Sequence, residues 1–186
     1  MIEYIRGELA EKTPGFAIVE AAGVGYGMAI SLSTYDKLPP KGSGVKVLTY
    51  HHVREDGETL FGFAPESEKD MFVKLTGVSG VGPKSALAIL SGLTIADLSL
   101  AISTSESKRI AAVKGVGKKT AEKICIELKD KINPFEAMSE SNAAAHGAVS
   151  RAFLRDAVLA LSALGFGDEG ASKMVSSVIA AHPDVK

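Results

Sequence analysis

The chain lacks most of the features that mark secreted and membrane proteins. Its 186 residues include one cysteine and no tryptophan, which excludes an internal disulfide and a zinc site built from clustered cysteines. No apolar run approaches the ~20 residues that a transmembrane helix needs. Charged residues in the opening MIEYIRGELAEK stand where a signal peptide would have its apolar core. We therefore expect a cytoplasmic chain with no membrane attachment.

The chain also has almost no net charge, which at first argues against a nucleic-acid partner. Its formal charge is −1, but the charges are unevenly spread. Residues 1–63 carry a net −2, residues 64–132 carry +3, and residues 133–186 carry −2. Between Lys108 and Lys131, eight basic residues face only three acidic ones. This local excess favours a phosphate-binding surface, although a solvated helix face would have the same composition.

The chain is predicted to form a multidomain α+β protein. In residues 1–63, short apolar stretches alternate with turn-formers such as Pro14-Gly15 and Pro39-Pro40, a pattern that predicts about five strands and a small closed barrel. From Glu66 the apolar spacing becomes helical, which predicts short helices with glycine-rich breaks over residues 64–133. The first boundary therefore falls at residue 63.

Two further units are predicted after the helical one. Residues 134–150 are rich in Ala, Ser, Asn and Gly without periodicity, and therefore read as a flexible linker. Residues 151–186 return to helical spacing and predict a small helical domain. Pro134 supports the boundary between the helical unit and the linker, because proline disfavours helical geometry in the residue before it.

An internal repeat in the helical unit is the strongest functional signal. The segment Leu75–Ala86 aligns with Ile110–Ala121 at a constant offset of 35 residues. Each copy predicts a helix, a Gly-Val-Gly hairpin, and a second helix that opens with lysine and a hydroxyl residue. The candidate ligand residues are Gly80, Val81, Gly82, Lys84 and Ser85 in the first copy, and Gly115, Val116, Gly117, Lys118, Lys119 and Thr120 in the second.

The repeated pattern has the chemistry of a phosphate site. Glycine permits positive φ and lets a ligand approach the backbone closely. The helix that follows presents unpaired N–H groups and the positive end of its dipole, and the lysines and hydroxyls add charge and donors. Such a site binds a nucleic-acid backbone without reading a base.

A structural turn and a nucleotide-binding loop are two other interpretations of the repeat, and both fit the residues less well. A Gly-Val-Gly step can simply separate two helices, but that role requires no matching lysine after each hairpin. A nucleotide-binding loop needs lysine where Pro83 stands, and the second copy has Ala112 where such a loop needs its first glycine. ATP binding by this chain is therefore not expected.

Neither a metal site nor a catalytic site is predicted. His51 and His52 are adjacent on a predicted strand and would point to opposite faces. Cys125 falls on a helix of the second repeat and reads as a packed residue. Glu55 and Asp56 could hold Mg²⁺ as a nuclease pair, but two adjacent acids in a turn are a weak pattern. Two functions stay as alternatives to backbone binding by the hairpins alone. One is a structure-specific nuclease subunit that uses the same hairpins, and the other is a general duplex- or RNA-binding module built on the barrel.

The tandem hairpins resemble the helix-hairpin-helix motif of proteins that bind the DNA backbone, and the whole chain resembles the RuvA family of Holliday-junction-binding subunits. The strings that carry the resemblance are Gly23-Val24-Gly25-Tyr26, His52-Val53-Arg54-Glu55-Asp56, Leu60-Phe61-Gly62-Phe63, Gly80 to Lys84, Gly115 to Glu122, Ala163-Leu164-Gly165-Phe166 and Ala171 to Val175. They extend through every predicted unit except the linker.

The resemblance implies both an architecture and a role. Family members have an N-terminal oligonucleotide-binding (OB-fold) barrel, two helix-hairpin-helix motifs, a linker and a small helical C-terminal domain. They form a homotetramer, or an octamer on DNA, that holds a four-way junction open. The implied role is non-catalytic and without a cofactor: the subunit loads the RuvB hexameric ATPase for branch migration in recombination and DNA repair, alongside the RuvC resolvase.

The resemblance also gives roles to two groups of residues. Glu55 and Asp56 match the family's acidic pin at the junction crossover; from the residues alone they read as a solvated hairpin turn. The C-terminal unit matches the domain that contacts RuvB, and Leu161, Leu164, Met174 and Val178 could form its core or its partner surface. Family members generally continue into a further helix, so we expect this domain to be short at its end.

Overall fold

The computed structural model describes residues 1–55 and 57–132, together with Ala157, Ala160, Leu161, Phe166, Gly170, Met174, Val175 and Val178. The chain divides into two compact units, Met1–Ile132 and Asn133–Lys186. The predicted linker and most of the predicted C-terminal domain lie outside the described residues.

The N-terminal part of the first unit is a closed five-stranded barrel. Its strands are β1 (Tyr4–Thr13), β2 (Phe16–Ala21), β3 (Val24–Ile30), β4 (Gly44–Arg54) and β5 (Gly57–Phe63). They pair in the order β1-β2-β3-β5-β4 and close on themselves. The β3–β5 pairing is parallel, whereas the other pairings are antiparallel. The predicted barrel is confirmed.

Alternating side chains fill the barrel. Strand residues point alternately to the two faces of a sheet, and here the inward positions carry large apolar side chains. Leu9, Val19, Met28, Ile30 and Val47 are all at most 1% exposed. The charged residues between them remain on the outside, which explains the mixture of apolar and charged residues in the sequence.

One helix within the barrel was not predicted. After β3 the chain forms α1 (Leu32–Lys37), within residues 1–63, for which only strands and turns were predicted. The strand ends because Ser31 caps the helix, its hydroxyl accepting the N–H of Thr34 at 2.9 Å. Serine is a preferred N-cap, but a six-residue helix leaves only a short pattern in the sequence.

The rest of the first unit is helical, as predicted. No single helix among the described residues is long and apolar enough to span a membrane, although the helices Pro83–Gly92 and Ile95–Ser103, bent by 104°, pass that test of length and composition as a pair. The helices are α2 (Glu66–Thr76), α3 (Pro83–Gly92), α4 (Ile95–Ser103), α5 (Ser107–Ala111) and α6 (Lys118–Leu128), followed by a 3₁₀ turn at Lys129–Lys131.

An aromatic cluster joins the barrel to the helices. Phe72 of α2 is fully buried, and its ring centroid lies 5.2 Å from that of Phe61 and 4.9 Å from that of Phe63, both on β5. Tyr50 of β4 approaches the same ring edge-on at 5.2 Å. Phe61 and Phe63 are therefore part of the helical core, and this packing holds α2 against the barrel.

Candidate nucleic-acid interface

The two hairpins have the same backbone hydrogen bonds. In the first, the N–H groups of Val78 and Val81 donate to the carbonyls of Leu75 and Val78, both at 3.0 Å. The equivalent bonds of the second hairpin, each 35 positions later, are Val113 N–H to Ile110 and Val116 N–H to Val113, both at 3.1 Å. Residues that lie 35 positions apart in the sequence therefore occupy equivalent positions in the two hairpins.

The glycines of each hairpin have separate roles. Gly80 and Gly115 both have φ near 90°, a left-handed conformation that strongly favours glycine. Gly82 and Gly117 have φ of −84° and −76° and are the N-caps of α3 and α6. The first glycine of each pair makes the turn, and the second starts the helix.

The first turns of α3 and α6 present unbonded amides. The earliest N–H bonded within α3 is that of Ala86, to Gly82 at 3.0 Å, and within α6 that of Ala121, to Gly117 at 2.9 Å. The N–H groups before them have no partner in the helix, and a glycine cap has no side chain to accept them. Each helix therefore offers a cluster of N–H donors at the positive end of its dipole, which is suited to a phosphate.

The charged and hydroxyl candidates surround these helix starts. Lys84 lies at the start of α3, and Lys118 and Lys119 at the start of α6; all three are exposed. Ser85 and Thr120 are half-buried beside them. The structure therefore brings each hairpin's lysines and hydroxyl to the amides of its own helix.

The two hairpin valines have a different environment. Val81 and Val116 are only 5% and 7% exposed and belong to the helical core. Their side chains anchor the hairpins, so the direct DNA contact predicted for them stays a prediction.

Lys114 is a ligand candidate that the sequence comparison missed: it lies exposed in the second hairpin, where the first has Ser79. Its position between Val113 and Gly115 was the available signal.

The acidic turn lies at the tip of the β4–β5 hairpin. The last paired residues are Arg54 and Gly57, Glu55 is exposed in the turn, and Asp56 lies outside the described residues. Behind the turn, Arg54 Nε donates to Nε2 of His52 at 2.7 Å. Glu55 makes no ion pair or side-chain hydrogen bond within residues 1–55 and 57–132.

Known proteins match the chain along almost its whole length. Residues 1–62 match the RuvA N terminal domain, and residues 72–130 match the SAM-like helix-hairpin-helix tandem. The protein named Holliday junction branch migration complex subunit RuvA from Chlorobaculum parvum is 43% identical over 185 residues, covering 98% of this chain and 91% of the relative. The chain belongs to the RuvA family. The resemblance stated from the sequence is confirmed.

Two other relatives with the same name give the same result. The protein from Syntrophotalea carbinolica is 44% identical over 178 residues, which cover 96% of this chain and 89% of the relative. The protein from Bacteroides thetaiotaomicron is 40% identical over 188 residues, covering 99% and 93%. The two matched families also correspond to the barrel and the tandem hairpins, and so confirm these parts of the predicted fold.

Two of the four histidines of this RuvA-family chain, His51 and His52, and its cysteine lie in the described residues and have structural partners. His51 Nε2 lies 2.8 Å from Oε2 of Glu58, while His52 stacks with Tyr50. Cys125 is buried, and this burial raises the pKa of its thiol. Within the part of the chain that the structure describes, no group of three or more His, Cys, Asp or Glu residues is placed to hold a metal ion.

The candidate partner residues of the C-terminal unit are only partly described. Leu161 is half-buried, whereas Met174 and Val178 are 44% and 60% exposed. Leu164 lies outside the described residues. Their proposed contact with a motor protein therefore stays a prediction.

Substituting the two glycines of the first hairpin should separate folding from binding. Gly80→Ala forces a side chain into a left-handed φ, and we expect a loss of about 1 kcal/mol in unfolding free energy. Gly82 has an ordinary φ, and a Cβ there would meet no atom within 4 Å, so Gly82→Ala should leave stability unchanged but obstruct a phosphate at the helix start. Urea denaturation and DNA titration of both variants test this; equal stability losses would contradict the assignment.

Proposed function

We propose that this chain binds four-way junction DNA by its shape, independently of sequence, as a subunit of a branch migration complex. The observation that carries the proposal is the pair of hairpins with identical hydrogen bonding, each presenting free amides and lysines at a helix start. Two such sites 35 residues apart in one compact unit suit successive contacts along a DNA backbone. The names of the relatives support the same role.

The acidic turn suits a position at the centre of the junction. We propose a homotetramer, with an octamer on DNA as the larger assembly, in which four copies of Glu55 and Asp56 surround the crossover. Carboxylates near phosphates raise the electrostatic energy, which disfavours continuous duplex and helps to keep the strands apart. The exposure of Glu55 at a hairpin tip, without an ion-pair partner in the described residues, supports this role.

The remaining parts of the proposal concern the partners. We propose a cytoplasmic, non-catalytic subunit without a cofactor that positions a RuvB-type hexameric ATPase, with Leu161, Leu164, Met174 and Val178 as candidate contacts. A RuvC-type resolvase would act on the junction that the subunit holds open. The ATP hydrolysis would then belong to the motor, since the hairpins do not have the arrangement of a nucleotide-binding loop.

A direct assay separates the scaffold from the nuclease alternative. The purified protein is incubated with an end-labelled four-way junction and Mg²⁺, and the products are run on native and denaturing gels. We expect a shifted complex with intact strands; cleaved strands would favour the nuclease. The mass of the complex with and without junction, measured by light scattering, tests the tetramer and octamer.

Neutralising the acidic turn should reduce the preference for four-way junction over linear duplex. In the double variant Glu55→Gln, Asp56→Asn, the charge that repels phosphate is removed without much change in size, so linear duplex should bind more tightly relative to the junction. Competition titrations measure the ratio of the two dissociation constants. Glu58→Gln is the matched control, because Glu58 lies nearby but pairs with His51. Unchanged discrimination in the double variant would contradict the pin.

A further inference from the structure

A buried carboxylate connects the barrel helix to the first repeat. Glu68 lies in the first turn of α2 and is fully buried. Its Oε1 accepts a hydrogen bond from the hydroxyl of Ser31, and its Oε2 accepts one from the hydroxyl of Thr34 at 2.9 Å. Ser31 and Thr34 belong to the cap and the body of α1 and are themselves fully buried. A charged residue buried in this way is rare unless its partners satisfy it.

The two hydroxyls that bond to Glu68 also accept backbone N–H groups. The hydroxyl of Ser31 accepts the N–H of Thr34 at 2.9 Å, and the hydroxyl of Thr34 accepts the N–H of Ala64 at 3.0 Å. Each hydroxyl has a single proton, and each donates that proton to Glu68. Both oxygens of the Glu68 carboxyl group therefore have a hydroxyl partner.

A second bond connects α1 to the other helix of the first repeat. The N–H of Leu32, in the first turn of α1, donates to the hydroxyl of Ser91 in α3 at 3.2 Å. Ser91 in turn donates to the carbonyl of Leu87 at 2.8 Å. Helices α2 and α3 lie on either side of the first hairpin, so both of its flanking helices are bonded to α1.

The second repeat has no comparable connection. Within residues 1–55 and 57–132, the side-chain hydrogen bonds of α5 and α6 go to other helical residues: Arg109 bonds to Asp97, and Cys125 contacts the carbonyl of Ala101. Among these residues, no side-chain hydrogen bond of α5 or α6 reaches the barrel or α1. The two hairpins have the same local geometry but are held differently.

We propose that the network of Ser31, Thr34, Glu68 and Ser91 is a positioning clamp that sets the first hairpin relative to the barrel and its acidic turn. The inference rests on the proposed junction binding, because it assigns the clamp to the geometry of that site. Fixing one phosphate-binding hairpin against the acidic turn would determine whether both meet the same junction arm correctly.

The energetics favour a positioning role over a purely stabilising one. Burial raises the pKa of Glu68 despite the hydrogen bonds from Ser31 and Thr34, and a buried charge often stabilises a fold less than apolar packing would. One turn further along the same face of α2, the aromatic cluster around Phe72 already holds the helix to the barrel. The ion pair of Lys69 with Glu3, at 2.6 Å, lies near the surface and adds little.

A double-mutant cycle tests the clamp. Thr34→Val removes the hydroxyl at similar volume, Thr34→Ser retains it, and Glu66→Gln is the matched control on the exposed side of the same helix turn. Each is combined with Lys84→Ala in the first hairpin and with Lys119→Ala in the second. Junction dissociation constants are measured at a temperature where thermal denaturation shows every variant to be folded.

The clamp predicts coupling to one hairpin only. In the Thr34→Val background, Lys84→Ala should weaken binding about threefold less than in the unmodified chain, a coupling typical of residues in one network. Lys119→Ala should remain additive to within about twofold, and Thr34→Ser should restore the original pattern. Additivity at both lysines, or equal coupling at both, would overturn the clamp.

Two further measurements keep the test decisive. If Thr34→Val does not fold, Ser91→Ala removes the bond between α1 and α3, together with the bond from Ser91 to the carbonyl of Leu87, and should show the same selective coupling to Lys84. The unmodified chain is titrated in parallel with junction and linear duplex. Failure to prefer the junction would refute the proposed function, whereas preference without selective coupling would refute only the clamp.

Discussion

Replacing Lys84 and Lys119 together by alanine is expected to produce the largest loss of DNA affinity. Each lysine lies beside the free amides of a helix start, so each substitution should remove a phosphate contact while leaving the hairpin backbone intact. The logarithmic dependence of affinity on salt should become shallower by ~1 for each lost contact. At about 0.1 M salt, each lost contact should raise the dissociation constant for DNA roughly tenfold.

The loss should affect every junction sequence alike, because phosphate contacts carry no sequence information. Fluorescence titrations at several salt concentrations give the slope. Lys46→Ala is a matched control: it removes the same charge from strand β4, where Lys46 lies over the ring of Tyr4, and should leave the slope unchanged. A double hairpin variant with an unchanged slope would show that the two lysines do not contact phosphates.

Replacing Phe72 by alanine is expected to produce the largest loss of stability. Phe72 is fully buried between Phe61, Phe63 and Tyr50, so truncation leaves a cavity where the barrel meets the helices. A buried phenylalanine replaced by alanine typically costs about 3–5 kcal/mol. The loss in unfolding free energy is measured by guanidinium denaturation, followed through circular dichroism.

The neighbouring position supplies the control for this prediction. Val73 is 45% exposed on the same helix, so Val73→Ala should change the unfolding free energy by no more than about 0.5 kcal/mol. A loss below about 1 kcal/mol for Phe72→Ala would mean that the aromatic cluster does not hold the two parts together.

The hairpins were predictable because their determinants are local. Positive φ at Gly80 and Gly115 and the helix starts after Gly82 and Gly117 depend on neighbouring residues, and a repeated local pattern gives a repeated local structure. The barrel was predictable for a similar reason, since strand alternation and turn residues are local signals. The parallel pairing of β3 with β5 joins residues distant in the sequence, so the sequence did not predict it.

The features that sequence reasoning missed are those with distant partners. Glu68 looks like an ordinary charged residue near a helix start, and only the fold brings it to Ser31 and Thr34, more than thirty positions earlier. Val81 and Val116 lie within the glycine pattern and were grouped with the ligands. Their side chains are buried in the helical core, and their direct contact with DNA stays a prediction.

The most direct test of the account is a competition between DNA shapes. A labelled four-way junction bound to the unmodified protein is challenged with unlabelled junction and with linear duplex of the same arm sequences, at fixed salt. The account predicts displacement by the junction at far lower concentration than by the duplex, whatever the arm sequence. Equal displacement by the two DNAs would contradict it.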